Sequence, residues 1–171
     1  MAAPQAQPRQ PQLRYDLTEL GSERVVVLHD RWMPAGRGSI DHLVVAPAGV
    51  FVIDVRHNGG TLERRNLGDV ARSDLRLYVG GSDRTTLLHG VEDQIEVVRE
   101  ALVSTGFDVS VRGVLCFTAA DWGRLGSPFK LGDVLVTYPK FLYGLLGKDA
   151  EVETNAIQNA ARVLARALPS A

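Results

Sequence analysis

Residues 40 to 56 read Ile-Asp-His-Leu-Val-Val-Ala-Pro-Ala-Gly-Val-Phe-Val-Ile-Asp-Val-Arg. Residues 43–46 and 50–53 are continuous apolar runs of strand length, rich in β-branched side chains. Pro47, Ala48 and Gly49 between them are turn chemistry, since proline fixes φ and glycine is free to take a positive φ. The reading is two buried strands joined by a tight turn. Asp41 enters the first strand and Asp54 leaves the second. If the strands pair antiparallel about the turn, the open end of the hairpin brings the two carboxylates together. Buried like charges are costly unless a cation sits between them. The pair therefore marks a candidate divalent-metal site. Its plainer reading is two strand-end carboxylates bonded to turn amides or facing water.

On the amino-terminal side, residues 25–28 form a short apolar strand, followed by His29, Asp30, Arg31 and Trp32 and a loop over 33–39 with one proline and two glycines. Residues 16–20 suggest a helical turn stopped by Gly21. Residues 1–12 are proline- and glutamine-rich, without periodicity, and read as a disordered tail. Beyond the hairpin, Asn58-Gly59-Gly60 is a strong turn signal. Short strands are expected at 61–64 and 77–79, with a polar, weakly patterned stretch at 66–75. Val91, Ile95, Val98 and Leu102 recur at helical spacing and predict a helix over 91–104, ended by Gly106. A buried strand is expected at 111–118, a loop from 121 to 133, and a short strand at 134–137. Pro139 opens a predicted helix over 139–146, and a loose apolar face predicts another over 151–168. Strands, a helix, two more strands and then helices give an α/β or α+β sandwich: one domain over 13–171 with a mixed sheet flanked by helices.

Composition excludes several classes. The chain has 171 residues, 45% hydrophobic and 23% charged, with net charge −1. That is ordinary for a soluble domain and offers no global pull toward nucleic acid, so any such binding needs a local patch. The single cysteine, Cys116, rules out an intramolecular disulfide and a cysteine-cluster zinc site. A reducing, cytoplasmic setting fits. No apolar run reaches the roughly 18 residues of a membrane span, and the amino terminus lacks the hydrophobic stretch of a signal peptide. Arginine outnumbers lysine 16 to 3, which reads as the coding bias of a GC-rich, bacterial genome.

Val27-Leu28-His29-Asp30-Arg31, Ile40-Asp41-His42-Leu43-Val44-Val45 and Gly49-Val50-Phe51-Val52-Ile53-Asp54-Val55-Arg56, in that order, resemble the NERD (nuclease-related) domain. The likeness continues through Leu77-Tyr78-Val79-Gly80-Gly81, Val114-Leu115-Cys116-Phe117 and Asp121-Trp122, and covers about residues 20–146. The resemblance implies the restriction-endonuclease-like fold of the PD-(D/E)xK superfamily, a central mixed sheet with helices on both faces. It implies that Asp41, Asp54 and the carbonyl of Val55 hold Mg²⁺ or Mn²⁺ for phosphodiester hydrolysis, with DNA as the expected partner. It further implies a homodimer where both strands are cut, although no interface signal is visible in the sequence.

Two departures stand against a complete site. The lysine position is Arg56, which keeps its proton and cannot be a general base, although it suits a bidentate phosphate clamp. The Gly-Glu pair expected on a helix ahead of the first strand is missing, leaving Asp16 or Glu19 as substitutes. The remaining reading is therefore a nuclease with a partly degenerate site, or an inactive nuclease-fold module that binds nucleic acid or a protein.

Other residues carry weaker signals. Gln94 falls roughly where relatives of the superfamily place a glutamine facing the metal; a solvated helix position is the plainer reading. His42 follows Asp41 and so faces the other side of the strand. His29 and His57 read as structural or surface residues with a possible place near the site, and His89 as surface or loop. Glu63 reads as surface. Arg31, Arg37, Arg64 and Arg65 are candidates for a basic patch, or simply solvated arginines. Trp32 and Trp122 are candidate base-stacking residues or lids over the core edge. Cys116, in an apolar run, reads as a buried structural thiol.

Overall fold

The computed structural model describes residues 11–123 and 126–171. In chain order its elements are α1 (Pro11–Glu19), β1 (Val26–Trp32), β2 (Ser39–Ala46), β3 (Gly49–Arg56), β4 (Leu62–Asn66), β5 (Leu75–Val79), β6 (Ser82–Asp83), α2 (Thr86–Leu102), β7 (Val111–Phe117), β8 (Phe129–Leu131), β9 (Val134–Thr137), α3 (Pro139–Leu146) and α4 (Thr154–Ala167). The predicted hairpin is there: β2 and β3 pair antiparallel from Ala46–Gly49 out to His42–Ile53. Gly49 turns the corner at φ 138°, and a Cβ there would meet the Ser110 carbonyl oxygen at 2.8 Å, so glycine is required by both backbone and space.

Six strands form the main sheet in the order β1-β2-β3-β7-β9-β8. β2 runs antiparallel to both its neighbours, β1 and β3. β3, β7 and β9 run parallel, and β8 returns antiparallel at the edge. Parallel neighbours need a crossover. The one from β3 to β7 contains β4, β5 and β6, which make a separate three-stranded sheet, and then α2.

Side chains alternate across the strands and divide the core in two. Leu43, Val45, Val50, Val52, Leu115 and Phe117 pack with Ile95 and Val98 of α2 and Ile157 and Leu164 of α4. Val44, Phe51, Ile53, Val114 and Cys116 pack with Leu13 and Leu17 of α1 and Leu142 and Leu146 of α3. Helices thus cover both faces of a mixed sheet, the α/β layering expected from the sequence. Gly113 lets α2 lie close to β7: a Cβ there would meet Val91 Cγ1 at 2.6 Å and Ile95 Cδ1 at 2.7 Å. Cys116 is buried, and burial pushes its thiol up to about 12. The outer edge of β1 is covered by residues 169–171, through Trp32 N–H to the Pro169 carbonyl at 2.9 Å and Ala171 N–H to the Asp30 carbonyl at 2.7 Å, which removes a bare strand edge. No helix among the described residues is long and apolar enough to cross a membrane.

Several expectations are corrected. α1 begins by Pro11 and is longer than the helical turn expected at 16–20, so the end of the proline- and glutamine-rich stretch is helical; residues 1–10 lie outside the described residues. α2 starts at Thr86 rather than 91, because Leu88 continues the buried spacing of Val91 and Ile95 through Gly90. The polar stretch 66–75 is the connection of the β4–β5 hairpin, whose ends pair Asn66 with Leu75. The loop expected over 121–133 contains β8. β1 runs on to Trp32, beyond the strand expected at 25–28.

Candidate active site

The open end of the β2–β3 hairpin carries the site. The backbone register stops at His42–Ile53, and the next two residues on that register, Asp41 and Asp54, face each other on the α2 side of the sheet. Here a side chain replaces the ladder: Asp41 Oδ2 accepts the Val55 N–H at 3.1 Å. A strand residue directs its N–H and C=O to the same neighbour, so the Val55 carbonyl is aimed toward the Asp41 side as well.

Arg56 is two residues beyond Asp54, the strand spacing that puts both on one face. Its Nη2 donates to Asp54 Oδ2 at 2.7 Å, a charge-assisted contact. Asp54 is buried, and its other oxygen, Oδ1, has no hydrogen-bond partner. Burial pushes the Asp54 carboxyl up to about 6; Arg56 opposes that rise and the Asp41 charge adds to it. Gln94 is buried on α2, not solvated. Its Nε2 donates to the Ser39 carbonyl at 3.3 Å, two residues before Asp41, while its buried Oε1 has no partner. The fold therefore brings Asp41, Asp54 and Arg56 to one end of the α2 side of the sheet, with the Val55 backbone between Asp54 and Arg56 and its side chain on the other face, and ties Gln94 to β2 two residues before Asp41.

Other sequence candidates go elsewhere. His42 points to the opposite face, where its Nδ1 lies 2.8 Å from His29 Nδ1 and the rings meet at 90°. Burial, with His29 beside it, holds His42 down at about 3, so it is a neutral packing partner; burial lowers His29 as well, and His29 is tied to α1 through Thr18 Oγ1 at 3.0 Å. Asp16, offered above as a substitute for the missing glutamate, instead accepts the Tyr143 hydroxyl at 2.8 Å and joins α1 to α3. Glu19 is exposed at the end of α1. Arg31 binds the Leu168 carbonyl and Ser170 rather than joining a basic patch. Glu63 pairs with Arg65. His57 lies just past β3, with Nδ1 2.8 Å from Thr118 Oγ1. Lys130, Lys140 and Lys148 are exposed, on β8, in the first turn of α3 and after α3.

The donor set suits one hard cation. It offers two carboxylates and a carbonyl, with Asp54 Oδ1 buried and short of a partner. Mg²⁺ is commonly held by one or two carboxylates while keeping its waters and taking a substrate oxygen. Among the described residues no group of three or more His, Cys, Asp or Glu side chains gathers as a metal site, so the third carboxylate of a fuller set is lacking. Sequence reasoning did not foresee the Asp54–Arg56 ion pair, although Asp-Val-Arg in a strand carries that signal at i, i+2. The Gln94–Ser39 bond had no sequence signal, because α2 and β2 meet only in the fold.

A family model described as "Nuclease-related domain" (NERD) matches residues 11–118. The comparison with curated proteins finds no match, and neither does the comparison with solved structures.

Proposed function

The chain belongs to the nuclease-related domain family, whose general kind is the PD-(D/E)xK superfamily, and from that premise we propose that it hydrolyses phosphodiester bonds of DNA with Mg²⁺ or Mn²⁺ at the open end of the β2–β3 hairpin. The observation that carries the reading is Asp54: a buried carboxylate facing Asp41, with one oxygen on Arg56 and the other without a partner. Burial of this kind costs stability, and a cation is what would compensate it.

Asp41, Asp54 and the Val55 carbonyl would hold the ion. When bound, it supplies charge neutralisation at the phosphoryl oxygen and makes its own water more acidic. Arg56, always protonated, binds a non-bridging phosphate oxygen and stabilises charge that builds up in the transition state. Gln94 Oε1 is an acceptor that orients the attacking water. The water oxygen bonds to phosphorus and releases its proton to solvent, the P–O bond to the leaving group breaks, and the leaving oxygen takes a proton from solvent, giving a phosphomonoester and a hydroxyl. Two copies of the chain would let both strands of a duplex be cut together.

A second reading, a module that binds phosphodiesters without turnover, is favoured by Arg56 itself. It occupies Asp54 Oδ2 and has no proton to exchange at working pH. Incubation of the purified chain with labelled DNA and Mn²⁺ separates the two. Hydrolysis that disappears in Asp54→Ala supports the enzyme. No cleavage by the wild-type chain, or cleavage unchanged by Asp54→Ala, overturns it.

A further inference from the structure

At the carboxyl ends of β3, β7 and β9 lies a row of aromatic side chains that begins against the core and runs out to solvent. Trp122 meets Tyr138 edge-on, with ring centroids 5.3 Å apart, and Phe129 at 6.2 Å; Tyr138 meets Phe141 at 6.3 Å. The row crosses the rim of the sheet from the α2 side, where Trp122 and Phe129 touch the core, to the start of α3. Trp122, Phe129 and Tyr138 are half-buried, and Phe141 is 43% exposed, so the row reaches solvent at its end rather than sealing the core.

Its backbone is fixed. Asp121 N–H donates to the Gly60 carbonyl and Leu62 N–H to the Asp121 carbonyl, both at 2.9 Å. Thr118 N–H donates to the Arg56 carbonyl, also at 2.9 Å. A few residues of tightly paired chain thus connect Trp122 to Arg56. Cations flank the row: Arg64 lies over the Phe129 ring at 5.8 Å, and exposed Lys140 sits between Tyr138 and Phe141 in sequence. Asp121, beside Trp122, is turned into its own loop, accepting Gly123 N–H at 2.8 Å.

Rigid, partly exposed aromatic rings interleaved with cations match the chemistry of unpaired nucleic acid, whose bases stack on rings while its phosphates meet the charges. A duplex hides its base faces and would meet only the charges, not the rings. We infer that the Trp122–Tyr138–Phe141 row, with Arg64 and Lys140, is a stacking platform for a single-stranded segment of DNA that leads toward Asp41 and Asp54. The inference deepens the hydrolase reading and rests on it for the choice of substrate class, but the binding itself does not require turnover.

The test is a fluorescence-anisotropy titration of the whole chain with a fluorescein-labelled oligothymidylate and with a duplex, in EDTA so that no cleavage occurs. The single strand should bind more tightly than the duplex. Trp122→Ala should weaken single-strand binding by about tenfold or more, the loss of one stacked base, and Trp122→Phe should largely restore it. Phe141→Ala, at an exposed helix position, should weaken it in the same direction and guards against misfolding of the Trp122 variant. Equal affinity for strand and duplex, or affinity unchanged in Phe141→Ala and Trp122→Ala, overturns the platform. So does absence of any oligonucleotide binding, which leaves the row to a protein partner. Failure to cleave in the Mn²⁺ assay overturns the hydrolase reading alone, because this titration contains no metal.

Discussion

Asp54 has one oxygen on Arg56 and the other buried without a donor, and its carboxyl is raised from 3.8 to about 6. A raised acid binds its proton more tightly in the folded chain. Its contribution to stability is therefore complete below about pH 4 and is lost as pH rises through about 6. His42 runs the other way. Held down at about 3 by burial and His29, it stays neutral while the unfolded chain takes up a proton, so its contribution is present above about pH 6.5 and is lost as pH falls toward 3. Between pH 4 and 6 the two slopes oppose, each about 1.4 kcal/mol per pH unit. Asp54→Asn removes one of them. In urea melts its stability relative to wild type should rise by up to about 3 kcal/mol from pH 4 to pH 7. Arg56 supports a second prediction. If lysine chemistry is what the site lacks, Arg56→Lys should speed cleavage of labelled DNA by on the order of a hundredfold or more; an unchanged rate would mean that the site lacks more than the lysine.

At the scale of elements, the hairpin was legible because its information is local. Two apolar runs, a proline–glycine turn and one aspartate on each strand suffice to place Asp41 opposite Asp54. α2 was legible in its buried stripe but not in its start, since Gly90 hides the first turn. β8 was not legible: three residues carry too little pattern, and they form a strand only because β9 is there to pair with. The seat of α2 on β7 is equally non-local. Gly113→Ala would press a Cβ within 2.7 Å of Val91 and Ile95 side chains, and overpacking of that kind costs about 1–3 kcal/mol. A lowered denaturant midpoint with an unchanged slope is the expected outcome. Because Gln94 is carried on the same helix, the shift should also reduce Mn²⁺-dependent cleavage.

For the molecule as a whole, cation binding at the proposed site would be linked to folding. An ion held by Asp41, Asp54 and the Val55 carbonyl binds only the folded hairpin, so at a hundred times its dissociation constant it adds about 2.7 kcal/mol to stability. Thermal melts with Mn²⁺ should therefore move upward in wild type and stay put in Asp54→Ala; equal shifts in both would place the ion elsewhere. The chain by itself determined the hairpin, the facing aspartates, the arginine at the lysine position, the buried cysteine and the mixed α/β architecture, because alternation, apolar runs and turn residues are written within a few positions of one another. Only the tertiary structure decided that β3, β7 and β9 run parallel, that Asp16 serves α1 and α3 instead of the site, that Gln94 reaches Ser39, and that Trp122 lines up with Tyr138 and Phe141. Those contacts join segments far apart in sequence, and their partners are chosen by the packing of two helical layers on one sheet, which no local pattern records.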